Sequence, residues 1–232
     1  ADGTVSGFAG NAEEHGHGRP VNIGVEHGDR VAFLARNGTD HFEAMFACWK
    51  LGAIFVPMNA AYTAAEVELL VEDADPVLLI HADKTAVPPA GSDRTARATL
   101  NGDGSGSLTD LATSLAPDLA VEPMAATDLA AILFTSGTTG RPKGAMLGHD
   151  QLSVNAQQVA AINPFGNASS EVFMGALPFF HVFANTALLN HACVTGASIA
   201  MVPRFETKQV LATIQSYRCT GFPGVPTMFQ AI

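Results

Sequence analysis

No apolar run in the 232 residues approaches the roughly 20 residues that a membrane-spanning helix needs. No charged-then-apolar leader with a cleavage site opens the chain either, so a signal peptide is not expected. Cysteine is scarce. Cys48, Cys193 and Cys219 are scattered without CxxC spacing, which excludes a disulfide framework and a zinc ribbon. Each lies in or beside an apolar run and reads as a small hydrophobe rather than a nucleophile or a metal ligand. Basic residues are few. The 12 lysines and arginines against 22 acidic residues give a net charge of −10, the wrong sign for a chain whose main partner is nucleic acid. A cytoplasmic setting, with at most peripheral membrane contact, is the expectation from these absences.

What is present is alternation. "RVAFLA" (30–35), "AIFVPM" (53–58), "PVLLI" (76–80) and "AAILF" (130–134) are short continuous apolar runs that read as buried strands. Helical patterns separate them. Phe42, Met45, Phe46 and Trp49 fall at i, i+3, i+4 and i+7, with Thr39 or Asp40 able to cap the start and Gly52 beyond the end. "TAAE" (63–66) is a capping box that opens a helix whose Val67, Leu70, Val71 and Ala74 share a face. Further on, Leu152, Ala156, Val159 and Ile162 predict one inward face, and Val210, Leu211, Ile214 and Tyr217 another. "VFMGAL" and "SIAMV" are strand candidates flanking a helix after His181. Residues 83–107, rich in Pro, Gly, Ser, Asp and Arg, read as a surface excursion that is weakly ordered in part. The expected fold is α/β, with layered sheets, flanking helices and largely parallel strands.

One stretch carries chemistry. "FTSGTTGRPKG" (134–144) follows a buried strand and supplies Gly137, Gly140 and Gly144, the hydroxyls of Thr135, Ser136, Thr138 and Thr139, and the Lys143 ammonium. Glycine lets backbone N–H groups approach a phosphate, hydroxyls add neutral donors, and lysine adds a point charge. A Walker loop is excluded, because Lys143 follows Pro142 and precedes Gly144 rather than Ser or Thr. The dinucleotide fingerprint fails as well, with no glycine at position 139. The bland alternative is a hairpin turn between "AILF" and "GAML".

The stretch resembles the phosphate-binding signature of the adenylate-forming (AMP-binding) superfamily, which includes acyl-CoA synthetases, luciferases and peptide-synthetase adenylation domains. "GDRVAFLARNGTDHFEAMFACWKLGAIFVPMNAAYTAAEVELLVEDADPVLLI" looks like that family's first subdomain. "LPFFHVFANTALLNHACVTGASIAMVPRF" and "GFPGVPTMF" look like the segment that shapes its acyl pocket. The resemblance spans Gly28 to Ile232. Peptide-synthetase domains usually lack the Pro-Phe-His pattern of "LPFFHVF", so the acyl-CoA synthetase branch fits best, with a medium- or long-chain fatty acid as the expected substrate. An aryl-acid CoA ligase and a fatty acyl-AMP ligase are the alternatives within the family; a non-catalytic nucleotide-binding module is the one outside it.

The resemblance implies ATP, Mg²⁺ and coenzyme A, with a carboxylic acid converted to acyl-AMP and then to a thioester. It implies ATP contacts from Thr135, Ser136, Gly137, Thr138, Thr139, Gly140, Arg141, Pro142 and Lys143. Lys143 and Thr138 are implied as catalytic, and Thr138 as a Mg²⁺ ligand. His181, Phe180, Gly224 and Val225 are implied at the acyl substrate. His149 matches a histidine of many relatives, and reads equally as a helix-start residue beside Asp150. The whole of 1–232 then reads as an incomplete N-terminal AMP-binding domain. The adenine, ribose and C-terminal catalytic elements are expected beyond Ile232, and the isolated stretch is expected not to be a competent ligase.

Overall fold

The structure is a computed structural model, and it describes residues 24–88, 95–114, 120–135, 142–162 and 170–232. Six strands form the main sheet: β1 (Arg30–Ala35), β2 (Ile54–Asn59), β3 (Leu78–His81), β4 (Ala96–Thr99), β5 (Leu129–Thr135) and β6 (Lys143–Gly148). Their order is β4-β3-β1-β2-β5-β6. All neighbours run parallel except β5 and β6, which pair antiparallel. Alternation within β1 shows how the layers arise. Val31, Phe33 and Ala35 join the cluster that holds Met45 and Cys48 of α1 (Thr39–Lys50). Ala32 and Leu34 join Val67, Leu70 and Val71 of α2 (Ala64–Ala74) on the opposite face. A strand covered on both faces has no polar side to show, hence its continuous apolar run. Each large side chain buried as fully as Phe33, Phe55 or Leu34 contributes about 1.5–3 kcal/mol.

A second, smaller layer follows. β7 (Val172–Gly175) and β8 (Ser198–Met201) pair in parallel. A continuous helical stretch connects them: α5 (Val182–Ala184), a π-helical segment (Asn185–Asn190) and α6 (His191–Thr195). α7 (Thr207–Tyr217) and α8 (Pro226–Gln230) complete the described chain, with α3 (Ser107–Thr113) and α4 (His149–Ile162) earlier in it.

The expected α/β class, parallel character and principal strands hold. The Thr63–Glu66 capping box forms as expected: the Glu66 backbone N–H donates to Thr63 Oγ1, and the Thr63 N–H donates to Glu66 Oε2. Several finer expectations do not hold. α1 is capped at Gly38 with no side-chain cap bond, so neither Thr39 nor Asp40 serves. Its buried residues are Asp40, His41, Ala44, Met45 and Cys48; of the expected stripe Met45 is buried and Phe42 and Trp49 pack against the same cluster, but Phe46 is 45% exposed. Ile162, Leu211 and Tyr217 are exposed too. Periodicity reports a helix's apolar stripe but not how far a neighbour extends beneath it, and the layer against which α7 packs includes the short strands β7 and β8. Cys48 is buried, its thiol pushed up to about 12 by burial, while Cys193 is exposed.

The polar excursion holds an element that its composition did not announce; its residues 89–94 lie outside the described residues. Its middle is β4, paired in register with β3 from Leu78↔Ala96 to His81↔Thr99. The "NGDGSGS" run closes a compact turn: Asn101 N–H donates to the Ser105 carbonyl, Gly104 N–H to the Asn101 carbonyl, and Ser107 caps back on Thr99.

Candidate functional site

The signature stretch leaves the carboxyl end of β5. Because β5 runs parallel to β2 and β2 to β1, the ends of all three open on one edge of the sheet. That edge is where ligands bind in open α/β sheets. Ser136, Gly137, Thr138, Thr139, Gly140 and Arg141 lie outside the described residues. Their flanks are described. Thr135 faces Lys143 across the β5–β6 pair, and its hydroxyl donates to the Lys143 carbonyl at 3.3 Å. Both residues are exposed, so the Lys143 ammonium stands at the rim of the hairpin, free to meet an anion. Pro142 is half-buried directly before it. Gly144 lies opposite Phe134, where a Cβ would come within 2.8 Å of Ile132 Cγ2. The glycine thus lets the two strands close beneath the loop. The hairpin reading of the flanks is correct for the strands, and it is compatible with a phosphate-binding connection.

The base of this hairpin is braced by residues that sequence reasoning placed elsewhere. β5 has a register irregularity between Leu129 and Ala131, and Ala130 is fully buried. The Trp49 indole N–H donates to its carbonyl at 2.9 Å. The Trp49 ring meets His149 edge-on at 5.7 Å. His149 opens α4, and its backbone N–H donates to the Asp128 carbonyl. Burial lowers the His149 pKa, against an opposing pull from the Asp128 charge, and its Nε2 is buried without a hydrogen-bond partner. A neutral imidazole packed under the hairpin is the helix-start role. Trp49 read as one member of an apolar stripe; that it is the chain's sole tryptophan was the available signal.

A cavity of about 270 Å³ opens at the same sheet edge. Its walls are residues 35–37 after β1, 59–61 after β2, residues of the 176–180 segment after β7, 203–205 after β8, and Met228. In a chain of net charge −10, two arginines, Arg36 and Arg204, stand at this mouth. Phe180 lines it; His181, Gly224 and Val225 are not among its lining residues. His181 is exposed and caps α5, with Phe183 N–H donating to Nδ1 at 3.2 Å. A backbone N–H only donates, so Nδ1 is the acceptor and the ring proton sits on Nε2. Nε2–H is then a donor that the cap does not use. Gly224 packs beside the Phe229 ring, and Val225 precedes α8, the helix that brings Met228 to the cavity.

Among the described residues no group of three or more His, Cys, Asp or Glu side chains could hold a metal ion. A Mg²⁺ ion here would keep water and phosphate oxygens as its main ligands, a mode compatible with a hydroxyl such as that of Thr138. Among the described residues no helix is long and apolar enough to cross a membrane.

Comparison with known proteins agrees with this geometry. The chain is 36% identical over 211 residues to a feruloyl-CoA synthase of Amycolatopsis sp., covering 90% of this chain and 41% of that protein. It is 32% identical over 225 residues to 4-coumarate–CoA ligase 4 of Arabidopsis thaliana, covering 90% and 39%. The crystal structure of ATP-bound MatB from Rhodopseudomonas palustris superposes with a TM-score of 0.80 at 32% identity, covering 90% of this chain and 41% of that one. The chain therefore spans about two fifths of the length of these relatives. A family model described as AMP-binding enzyme matches residues 21–232. With a largely parallel sheet, a lysine-bearing hairpin at its carboxyl edge and a family match over nearly its whole length, the chain belongs to the AMP-binding enzyme family.

Proposed function

We propose that the chain forms part of the N-terminal domain of an acid–thiol ligase. The full-length protein activates a carboxylic acid with ATP and then transfers the acyl group to coenzyme A. The observation that carries this reading is the shared sheet edge: the β5–β6 hairpin presents Thr135 and Lys143 where β1 and β2 open on the cavity. In the first step a carboxylate oxygen attacks the α-phosphorus of ATP, and the bond to the bridging oxygen breaks to release pyrophosphate. Both reactants are anions, so the reaction needs charge neutralisation and alignment. Lys143 meets the charge that develops on the departing pyrophosphate. Thr135 and residues 136–141 supply hydroxyl and backbone donors to the β- and γ-phosphates, with Pro142 shaping the turn before Lys143 and Thr138 a Mg²⁺ ligand. Mg²⁺, when bound, screens phosphate charge.

The acid sits toward the 178–181 segment. Phe180, with Gly224 and Val225 beyond it, gives the apolar surround, and the Nε2–H of His181 donates to the carboxyl end. In the second step a thiolate sulfur attacks the acyl carbonyl, AMP leaves with the former carboxylate oxygen, and the thiol proton passes to solvent. Arg36 and Arg204 give the cavity mouth the charge to meet the phosphates of coenzyme A.

Feruloyl- and coumaroyl-type acids are the first substrates to test, since the two relatives described above carry those acyl groups in their names. The experiment is ATP–pyrophosphate exchange by the full-length protein with hydroxycinnamic and fatty acids, followed by thioester detection with coenzyme A. Exchange that needs added acid, and thioester that needs coenzyme A, is the expected result. ATP hydrolysis indifferent to any acid contradicts it.

A further inference from the structure

Asn37 joins the two layers of the molecule at the point where the acyl segment begins. Its side-chain amide makes two hydrogen bonds to one stretch of backbone. Nδ2–H donates to the Leu177 carbonyl at 2.8 Å, and Phe179 N–H donates to Oδ1 at 2.9 Å. In extended chain the C=O of one residue and the N–H of the residue two further on point to the same side. A primary amide offers a donor and an acceptor side by side, so Asn37 completes this pair as a single-residue strand would. No charged or hydroxyl side chain supplies both groups in that geometry.

The clamp sets the direction of the side chains around it. Phe179 is 1% exposed and packs edge-on against His41 at 5.6 Å and Phe42 at 6.1 Å, both on α1. Its neighbours Pro178 and Phe180 line the cavity, as Asn37 itself does. His181 follows and caps α5. With the backbone at 177 and 179 held, the backbone that carries Phe180 and His181 is placed, and the Phe183 N–H bond to Nδ1 holds the imidazole on it. Asn37 lies 140 residues away in sequence from Leu177 and follows β1, on which the cavity opens.

We infer that Asn37 is a positioning residue for the carboxylic acid: it acts through Phe180 and His181 to fix the acid's reactive end. The inference rests on the adenylation reading above. Misplacement of a reacting group by about 1 Å costs on the order of 10²-fold in rate, so an effect of this kind is large enough to measure.

The test uses ATP–pyrophosphate exchange by the full-length protein, comparing Asn37→Ala and Asn37→Asp with the unaltered sequence. Asn37→Asp is isosteric and keeps the acceptor for Phe179 N–H but loses the donor to Leu177. If the alanine variant fails to fold, the aspartate variant carries the same test. Both folded variants are expected to raise the KM for the acid about tenfold or more, with the KM for ATP within about twofold of the unaltered value. Unchanged acid KM in a folded variant overturns the inference. So does an equal rise in both KM values, which marks general loosening. Exchange that is absent even without substitution contradicts the adenylation reading itself, a failure distinguishable because no variant is needed to see it.

Discussion

Trp49 donates its indole N–H to the carbonyl oxygen of Ala130, 81 residues further along the chain, at 2.9 Å. The bond satisfies a buried acceptor where β5 and β6 slip register, at the base of the hairpin and at the opposite end from its lysine-bearing turn. Trp49→Phe keeps an aromatic ring against Phe46 and His149 but leaves that carbonyl without its donor. An unsatisfied buried carbonyl is destabilising by about 1–3 kcal/mol. Urea unfolding followed by circular dichroism should show a loss in that range. A midpoint unchanged from the parent protein refutes the bracing role.

His41 is the clearest source of acid sensitivity. It is buried among Phe33, Phe55 and Phe179, its Nε2 has no hydrogen-bond partner, and burial lowers its pKa to about 3. The unfolded chain takes up a proton near pH 6.5 and the folded one does not until about pH 3. Between these values the unfolded state binds more protons, so stability rises with pH and is lost as pH falls from 6.5 toward 3. The contribution amounts to roughly 2 kcal/mol between pH 7 and pH 5. His41→Phe retains the aromatic cluster and should flatten the unfolding free energy by about that amount over the same interval. Parallel pH profiles for the two proteins would speak against the assignment.

Gly106 turns the chain from β4 into α3 with φ at +134°, and a Cβ there would lie 2.3 Å from the Thr99 carbonyl oxygen. That oxygen belongs to backbone, which cannot move aside as a side-chain end can. Gly106→Ala combines this clash with about 1–3 kcal/mol of backbone strain in a positive-φ extended region that only glycine adopts readily. Hydrogen exchange at residues 96–99 should accelerate while β1 and β2 stay protected. Uniform protection across the sheet contradicts the role given to the turn.

The fate of residues 83–107 shows what a single sequence conveys. β1, β2, β3 and β5 announce themselves as continuous apolar runs because helices cover both their faces. β4 is "ARAT", an edge strand with only Ala98 buried, and it carries no such run. Its order comes from backbone pairing with β3 and from side-chain bonds in the turn that follows, and composition does not encode either. The capping box at Thr63 and Glu66 was legible because its partners are three residues apart. Asn37 was not, because its partners are 140 and 142 residues away. The same distinction divides the site. Lys143 and its neighbours form a local motif. The cavity gathers the ends of four strands and a late helix, a meeting that follows from topology and is invisible to spacing.

Removal of the Lys143 ammonium tests whether the β5–β6 hairpin serves adenylation. Lys143 is exposed at the rim of the hairpin, so Lys143→Ala leaves no buried gap and should fold as the parent does. The measurement is the single-turnover rate of acyl-AMP formation by the full-length protein with its preferred acid at saturating ATP. A slowing on the order of 10²–10³-fold is expected for loss of a donor that stabilises charge in the transition state. An adenylation rate equal to that of the unaltered protein would contradict the account.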